Sequence, residues 1–131
     1  MAGLQVLEEE FSAQGFHLLG FFSNDFGNQG GDGDDIDSCN EEHQVTFREF
    51  DIDHVTAPDA QPAWQWILSQ PSPGPEQPLE PTWNFHKYLI SKDGQLISHF
   101  AQGSYWGTDP QSAQFNDSEV VQGIRAQLAL P

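Results

Sequence analysis

Two short clusters in this sequence bring together side chains that can hold negative charge without carrying positive charge. The first, Ser23-Asn24-Asp25-Phe26-Gly27-Asn28-Gln29-Gly30, follows an apolar run. The second, Trp83-Asn84-Phe85-His86-Lys87-Tyr88-Leu89-Ile90, opens one. A glutamine amide, an indole N–H and an asparagine amide are neutral donors. Converging on one atom, they stabilise a thiolate, or an oxygen that gains charge in a transition state. Each cluster also has a plainer reading: a turn in the first case, a core aromatic at a strand start in the second. On spacing alone the plainer readings lead.

Other reactive residue types carry less. Cys39 is the single cysteine, so it is the only thiol nucleophile in the chain and has no disulfide partner within it. A nucleophilic thiol must ionise, which is favoured by cations or a helix N-terminus nearby. Cys39 instead has Asp35, Asp37, Glu41 and Glu42 around it in sequence. It reads as an unreactive helix cysteine. The acidic run Asp32, Asp34, Asp35, Asp37 fails as a calcium loop, because setting Gly33 at the required glycine puts Gly30 and Cys39 at ligand positions. The five histidines show no metal-ligand spacing, so no metal site is expected. His86 and His99 can meet across a hairpin, where packing accounts for them.

The elements that would position these groups are legible from periodicity. Leu4, Leu7 and Phe11 fall at helical spacing, with Gly15 as a stop. Residues 16–22 read as a buried parallel strand and 23–33 as a loop. Residues 34–42 read as a short helix, and Val45, Phe47 and Ile52 as extended. A helix over 62–69 opens at a proline. The stretch 70–81 holds five prolines and reads as a long loop. Runs 85–90 and 95–100 flank Ser91-Lys92-Asp93-Gly94, a hairpin signal. A last helix has Asn116, Asp117 or Ser118 as cap and Val120, Val121, Ile124 and Leu128 on its apolar face. Helices alternating with a mixed sheet predict an α/β fold, ending in a hairpin and helix as thioredoxin-like domains do.

Length and charge bound the function. The 131 residues suit one domain, and ten Phe with four Trp suffice for a core. Met1 leads directly into a stretch carrying Glu8, Glu9 and Glu10, so no leader is expected, and no apolar run is long enough for a membrane span. The formal charge is -16, with only Arg48, Lys87, Lys92 and Arg125 basic. Nucleic acid and anionic membranes are therefore poor partners. The lone cysteine leaves the compartment open and leans toward a reducing, cytoplasmic one.

The residues then resemble a known family. The run Gly20 to Gln29 is similar to the glutathione peroxidase segment GFPCNQFGxQ, with Phe22 and Ser23 in place of its proline and cysteine. Trp83 to Ile90 matches that family's WNFxKFL signature. Val45-Thr46-Phe47, Phe50 and Ile52-Asp53-His54-Val55 resemble GVTFPxFxKIDVNG, and Lys92-Asp93-Gly94 fits its hairpin. Gly3 to Leu7 resembles the helix just after the active-site cysteine.

The resemblance implies a thioredoxin-like fold over residues 1–131, a single domain incomplete at its N-terminus. It implies reduction of hydrogen peroxide or organic hydroperoxides by a thiol reductant, glutathione or a thioredoxin-like protein, with no cofactor. The catalytic set it implies is Gln29, Trp83 and Asn84 beside a cysteine or selenocysteine whose motif is expected before Met1. The central strand preceding that nucleophile is expected there too. The chain alone is then expected to be inactive. Cys39 lies near the place of a resolving cysteine in thioredoxin-using members, but its neighbours do not match that motif. The rival reading is a non-catalytic thioredoxin-like binding protein.

Overall fold

The computed structural model describes residues 1–28, 31–74 and 79–131. The first helix, α1 (Ala2–Phe11), turns Leu7 and Phe11 into the core. It winds down through a 3-10 turn (Ser12–Gln14) and stops at Gly15, whose φ of 94° is left-handed and costs glycine little. Strand β1 (Leu19–Phe21) is shorter than the expected 16–22. The reason lies upstream: Phe16 and Leu18 pack against the α1 core, and the Leu18 N–H donates to the Glu8 carboxylate at 2.9 Å. A side chain has taken the donor that a longer ladder would use.

Helix α2 (Gly33–His43) starts in a capping box, Asp32 accepting from the Asp35 N–H and Asp35 from the Asp32 N–H. It returns the chain to β2 (Arg48–Phe50), which lies parallel to β1 with Phe21 opposite Phe50. Helix α3 (Pro62–Ser69) has Pro62 in its first turn, where a missing N–H costs nothing. Strands β3 (Lys87–Ile90) and β4 (Leu96–Phe100) form the expected antiparallel hairpin, with Gly94 at φ 75° in its turn. The short α4 (Ala113–Asn116) lies just before the last helix. Asn116 ends α4, and its side chain donates back to the Pro110 and Ser112 carbonyls. Of the three cap candidates, Ser118 caps α5 (Glu119–Leu128), accepting from the Val120 N–H.

The fold is thus α/β, with the described strands in two two-stranded sheets, β1-β2 and β3-β4. Two apolar clusters hold it. In the larger, α1 and α5 bury Leu7, Phe11, Val120, Val121 and Ile124 around Phe115. Trp106 joins it, its indole N–H donating to the Gly3 carbonyl at 2.7 Å. The crossing is close: a Cβ on Gly3 would lie 3.3 Å from both the Gly107 carbonyl oxygen and the Trp106 indole nitrogen, so a larger residue needs these neighbours to give by a few tenths of an ångström. The smaller cluster centres on Trp64, with Val55, Ala60 and Ile67. Its indole meets Phe21 of β1 edge-on at 5.8 Å and Tyr88 of β3 at 5.0 Å. One side chain therefore touches both sheets.

Phe115 is fully buried, whereas Leu130 is 53% exposed. Phe115→Ala should cost about 3–5 kcal/mol of unfolding free energy in a denaturant titration, as cavity-forming aromatic truncations do. Leu130→Ala should stay within about 0.5 kcal/mol, as surface changes do.

Candidate functional site

The first cluster folds as a turn that one carboxylate pins down. Chain direction reverses where Gly27 and Asn28 take left-handed φ values of 63° and 53°. Asparagine tolerates this better than most residues. The Asp25 N–H donates to Ser23 Oγ at 3.1 Å, closing the turn locally. Its carboxylate reaches 30 residues along the chain to the segment before α3. There it accepts from the Val55 N–H at 2.8 Å, the Thr56 N–H at 3.2 Å and Thr56 Oγ1 at 3.1 Å. His54 Nδ1 lies 2.6 Å away as a further partner. Burial pushes the Asp25 carboxyl up, but the donors from Val55, His54, Thr56 and Ser23 outweigh it and hold it at about 2. Pairing with that carboxylate raises His54. Gln29, the expected amide donor, lies outside the described residues.

The second cluster is a tight loop before β3. Trp83 is 43% exposed, so it is not the core aromatic of the plainer reading. Asn84 beside it is half-buried. Phe85 sits at φ 61°, a costly conformation for a bulky side chain, and so the strand begins only at Lys87 rather than at 85. The loop is closed by the Thr82 N–H donating to His86 Nδ1 at 3.2 Å. His86 meets His99 of β4 at 2.9 Å. A cavity of about 260 Å³ opens beside these rings, bordered by Thr82, Ser104 and Glu119 among others.

The two clusters touch through aromatic rings, Phe26 and Trp83, whose centroids are 6.0 Å apart and tilted by 53°. An indole and an amide thus stand beside the turn that leads to Gln29. Their donors can stabilise an anionic atom at this place with no cation in the set. Cys39 is elsewhere, in the second half of α2 and so away from that helix's N-terminus. Among the described residues no three His, Cys, Asp or Glu side chains are grouped to hold a metal ion. No described helix is long and apolar enough to cross a membrane.

Two features escaped the reading of the sequence. Asp25 was lost inside its cluster, although it stands where the motif GFPCNQFGxQ has glutamine, and a partly buried carboxylate with several donors does more than an amide here. The ring pair His86–His99 was foreseen only as packing, because tautomers and donors cannot be read from spacing.

Removing the Asp25 carboxylate strands the Val55 and Thr56 N–H groups. Asp25→Ala should cost about 1–3 kcal/mol by denaturant titration, the penalty of unpaired buried donors, and Asp25→Asn less, because one carbonyl oxygen stays. The carboxyl is lower in the folded chain than unfolded, so its contribution is complete above about pH 4 and fades toward about pH 2. The alanine variant should therefore lose less stability than the parent on acidification through that window.

No family model matches the chain. Individual relatives do. A hydroperoxy fatty acid reductase, gpx1, of Synechocystis sp. is 35% identical over 105 residues, covering 75% of this chain and 62% of the relative. A glutathione peroxidase of Lactococcus lactis is 36% identical over 101 residues, covering 76% and 63%. A glutathione peroxidase-like peroxiredoxin of Schizosaccharomyces pombe is 32% identical over 101 residues, with the same coverage of 76% and 63%. The chain thus spans somewhat under two thirds of the length of these curated relatives. Among solved structures, that of Trgpx in apo form superposes with a TM-score of 0.66, covering 98% of this chain and 70% of that one at 24% identity. That likeness shows the thioredoxin-like fold. The sequence likenesses agree on one family, the glutathione peroxidases, which this chain resembles over about three quarters of its length.

Proposed function

We propose that these residues form the larger part of a single peroxidase domain, which reduces hydrogen peroxide or organic hydroperoxides with electrons from thiols. The observation that carries the reading is the contact of Phe26 with Trp83, which joins the turn before Gln29 to the Trp83-Asn84 pair. Gln29, Trp83 and Asn84 act in it as neutral donors around a thiolate or selenolate. That nucleophile belongs to a segment outside the 131 residues. Three things support this placement: the greater length of the relatives, the acids around Cys39, and the sheet. Among the described strands, β1 pairs only with β2 and β3 only with β4, so a further strand between β1 and β3 would complete one mixed sheet.

The reaction is three displacements. The thiolate attacks one peroxide oxygen, an S–O bond forms as the O–O bond breaks, and hydroxide or alkoxide leaves and takes a proton. The sulfur is now a sulfenic acid. A first thiol displaces water from it to give a mixed disulfide. A second thiolate attacks that disulfide and returns the enzyme thiolate. One peroxide and two thiols become an alcohol or water, one water and a disulfide. No cofactor enters. All four basic side chains already have partners within the chain: Arg48 over Phe50, Lys87 over Trp106, Arg125 over Phe11, and Lys92 on the Leu130 carbonyl. Glutathione, with its two carboxylates, would find little to hold it, which favours a thioredoxin-like protein as the thiol reductant.

The 131-residue chain alone should consume peroxide no faster than free cysteine does, and Cys39→Ser should change nothing. Extending it with a strand and a Cys-Gly segment taken from a relative should restore thiol-dependent turnover. In that protein Trp83→Phe or Asn84→Ala should each lower kcat about 100- to 1,000-fold, as loss of one oxyanion donor does. A fast stoichiometric loss of peroxide that vanishes in Cys39→Ser would overturn the assignment of the nucleophile. An extended, folded protein without turnover would favour a non-catalytic binding protein.

A further inference from the structure

The loop that carries Trp83 and Asn84 is bridged at its base by a hydrogen-bond relay with a fixed direction. The Thr82 backbone N–H can only donate, so His86 Nδ1, 3.2 Å away, must offer its lone pair. The His86 proton is therefore on Nε2, and it donates across 2.9 Å to His99 Nδ1. That puts the His99 proton on Nε2, which is buried with no partner among the described residues. Thr82 Oγ1, which also lies 3.4 Å from His86 Nδ1, donates to Gln102 Oε1 at 3.2 Å. The two imidazoles lie nearly parallel, 13° apart, and Tyr88 packs against both. Inside the bridge, Phe85 holds its left-handed φ of 61°. A strained residue persists only where its surroundings over-determine it, and the bridge from Thr82 to His86 supplies that constraint.

We propose that His86 and His99 are positioning residues: as a neutral pair they hold the loop of Trp83 and Asn84 in place, and a proton taken up by the pair releases it. A proton on His86 Nδ1 would face the Thr82 N–H, and one on His99 Nδ1 would face His86 Nε2–H. Either places two donors against each other. His86 stands at the position that the WNFxKFL motif leaves open, so the device belongs to this chain's own residues. The groups around the pair are Lys87 and Tyr88 on β3, Glu119 of α5 across the cavity, and Glu80 near Tyr88. Burial, then the facing His99 and Lys87, holds His86 down at about 4, and burial lowers His99. Both are thus below their ordinary value of 6.5. The bridge is then complete above about pH 6.5 and is lost as pH falls through about 4. The consequence for catalysis rests on Trp83 and Asn84 being the donors; the bridge itself does not.

Nitrogen-15 NMR of the 131-residue chain tests the bridge directly. At neutral pH the His86 ring should be the Nε2–H tautomer, and on acidification the Thr82 amide and Trp83 indole signals should move together with it. His86→Asn offers an oxygen close to the place of Nδ1 and does not titrate, so the same two signals should keep their neutral positions down to low pH. His86→Phe keeps the ring packing without the acceptor, and should speed Thr82 amide exchange up to about tenfold, the equivalent of one hydrogen bond. An Nδ1–H tautomer of His86, or a Trp83 signal that titrates unchanged in His86→Asn, would overturn the proposal. In the extended peroxidase, turnover should fall in acid for the parent and fall less for His86→Asn. If the NMR signatures hold and turnover ignores His86, the bridge stands and the assignment of Trp83 and Asn84 as donors fails instead.

Discussion

The indole of Trp64 is the contact on which this architecture depends. The strands fall into two pairs, and neither pair by itself could fix a site made from both. Trp64 packs edge-on against Phe21 from one pair and Tyr88 from the other. A two-stranded sheet has little stability of its own in water, so a buried aromatic touching both is what gives the loops beyond them a common frame. The turn holding Asp25 and Phe26 leaves from the end of β1, and the Trp83-Asn84 loop enters β3. Their juxtaposition is a consequence of that packing before it is anything chemical.

Hydrogen bonds then refine what packing brings near. Asp25 ties the turn to residues 54–56, and Val55 in that segment is a member of the Trp64 cluster. Phe26, next in sequence, packs on the same cluster and meets Trp83. A carboxylate suits this task because it accepts several bonds at once, and charge-assisted bonds are stronger than neutral ones. On the other side, the Thr82–His86–His99 relay bridges the second loop. Polar anchors at two loop bases, with an aromatic contact between them, set the Phe26 and Trp83 rings against each other. The formal charge is -16, and each of the four basic side chains is engaged within the chain.

Much of the frame was legible in the residues, for identifiable reasons. Periodicity located α1, α3, the hairpin and α5, because each has one apolar face and a recognisable end: Gly15, Pro62, Gly94, Ser118. The WNF motif marked Trp83 and Asn84. What stayed hidden depended on long-range partners. Strand β1 shortened because Glu8 captured the Leu18 N–H. Phe85 left the strand because the loop needed a left-handed residue there. Asp25 looked like one turn residue among several, since its donors lie 30 residues away. Residue type announces these groups, but only tertiary contact assigns them work.

The central claim is that two loops from different sheet pairs are held against each other by anchors at their bases. The most direct measurement is the set of nuclear Overhauser contacts between the Phe26 ring and the Trp83 indole, whose centroids lie 6.0 Å apart. The account predicts that these contacts are present in the parent chain. In Asp25→Ala they should weaken or vanish, while contacts from Phe115 to Phe11 in the other core persist. Loops that show no such contact in the parent, or keep it undiminished without the Asp25 carboxylate, would contradict it.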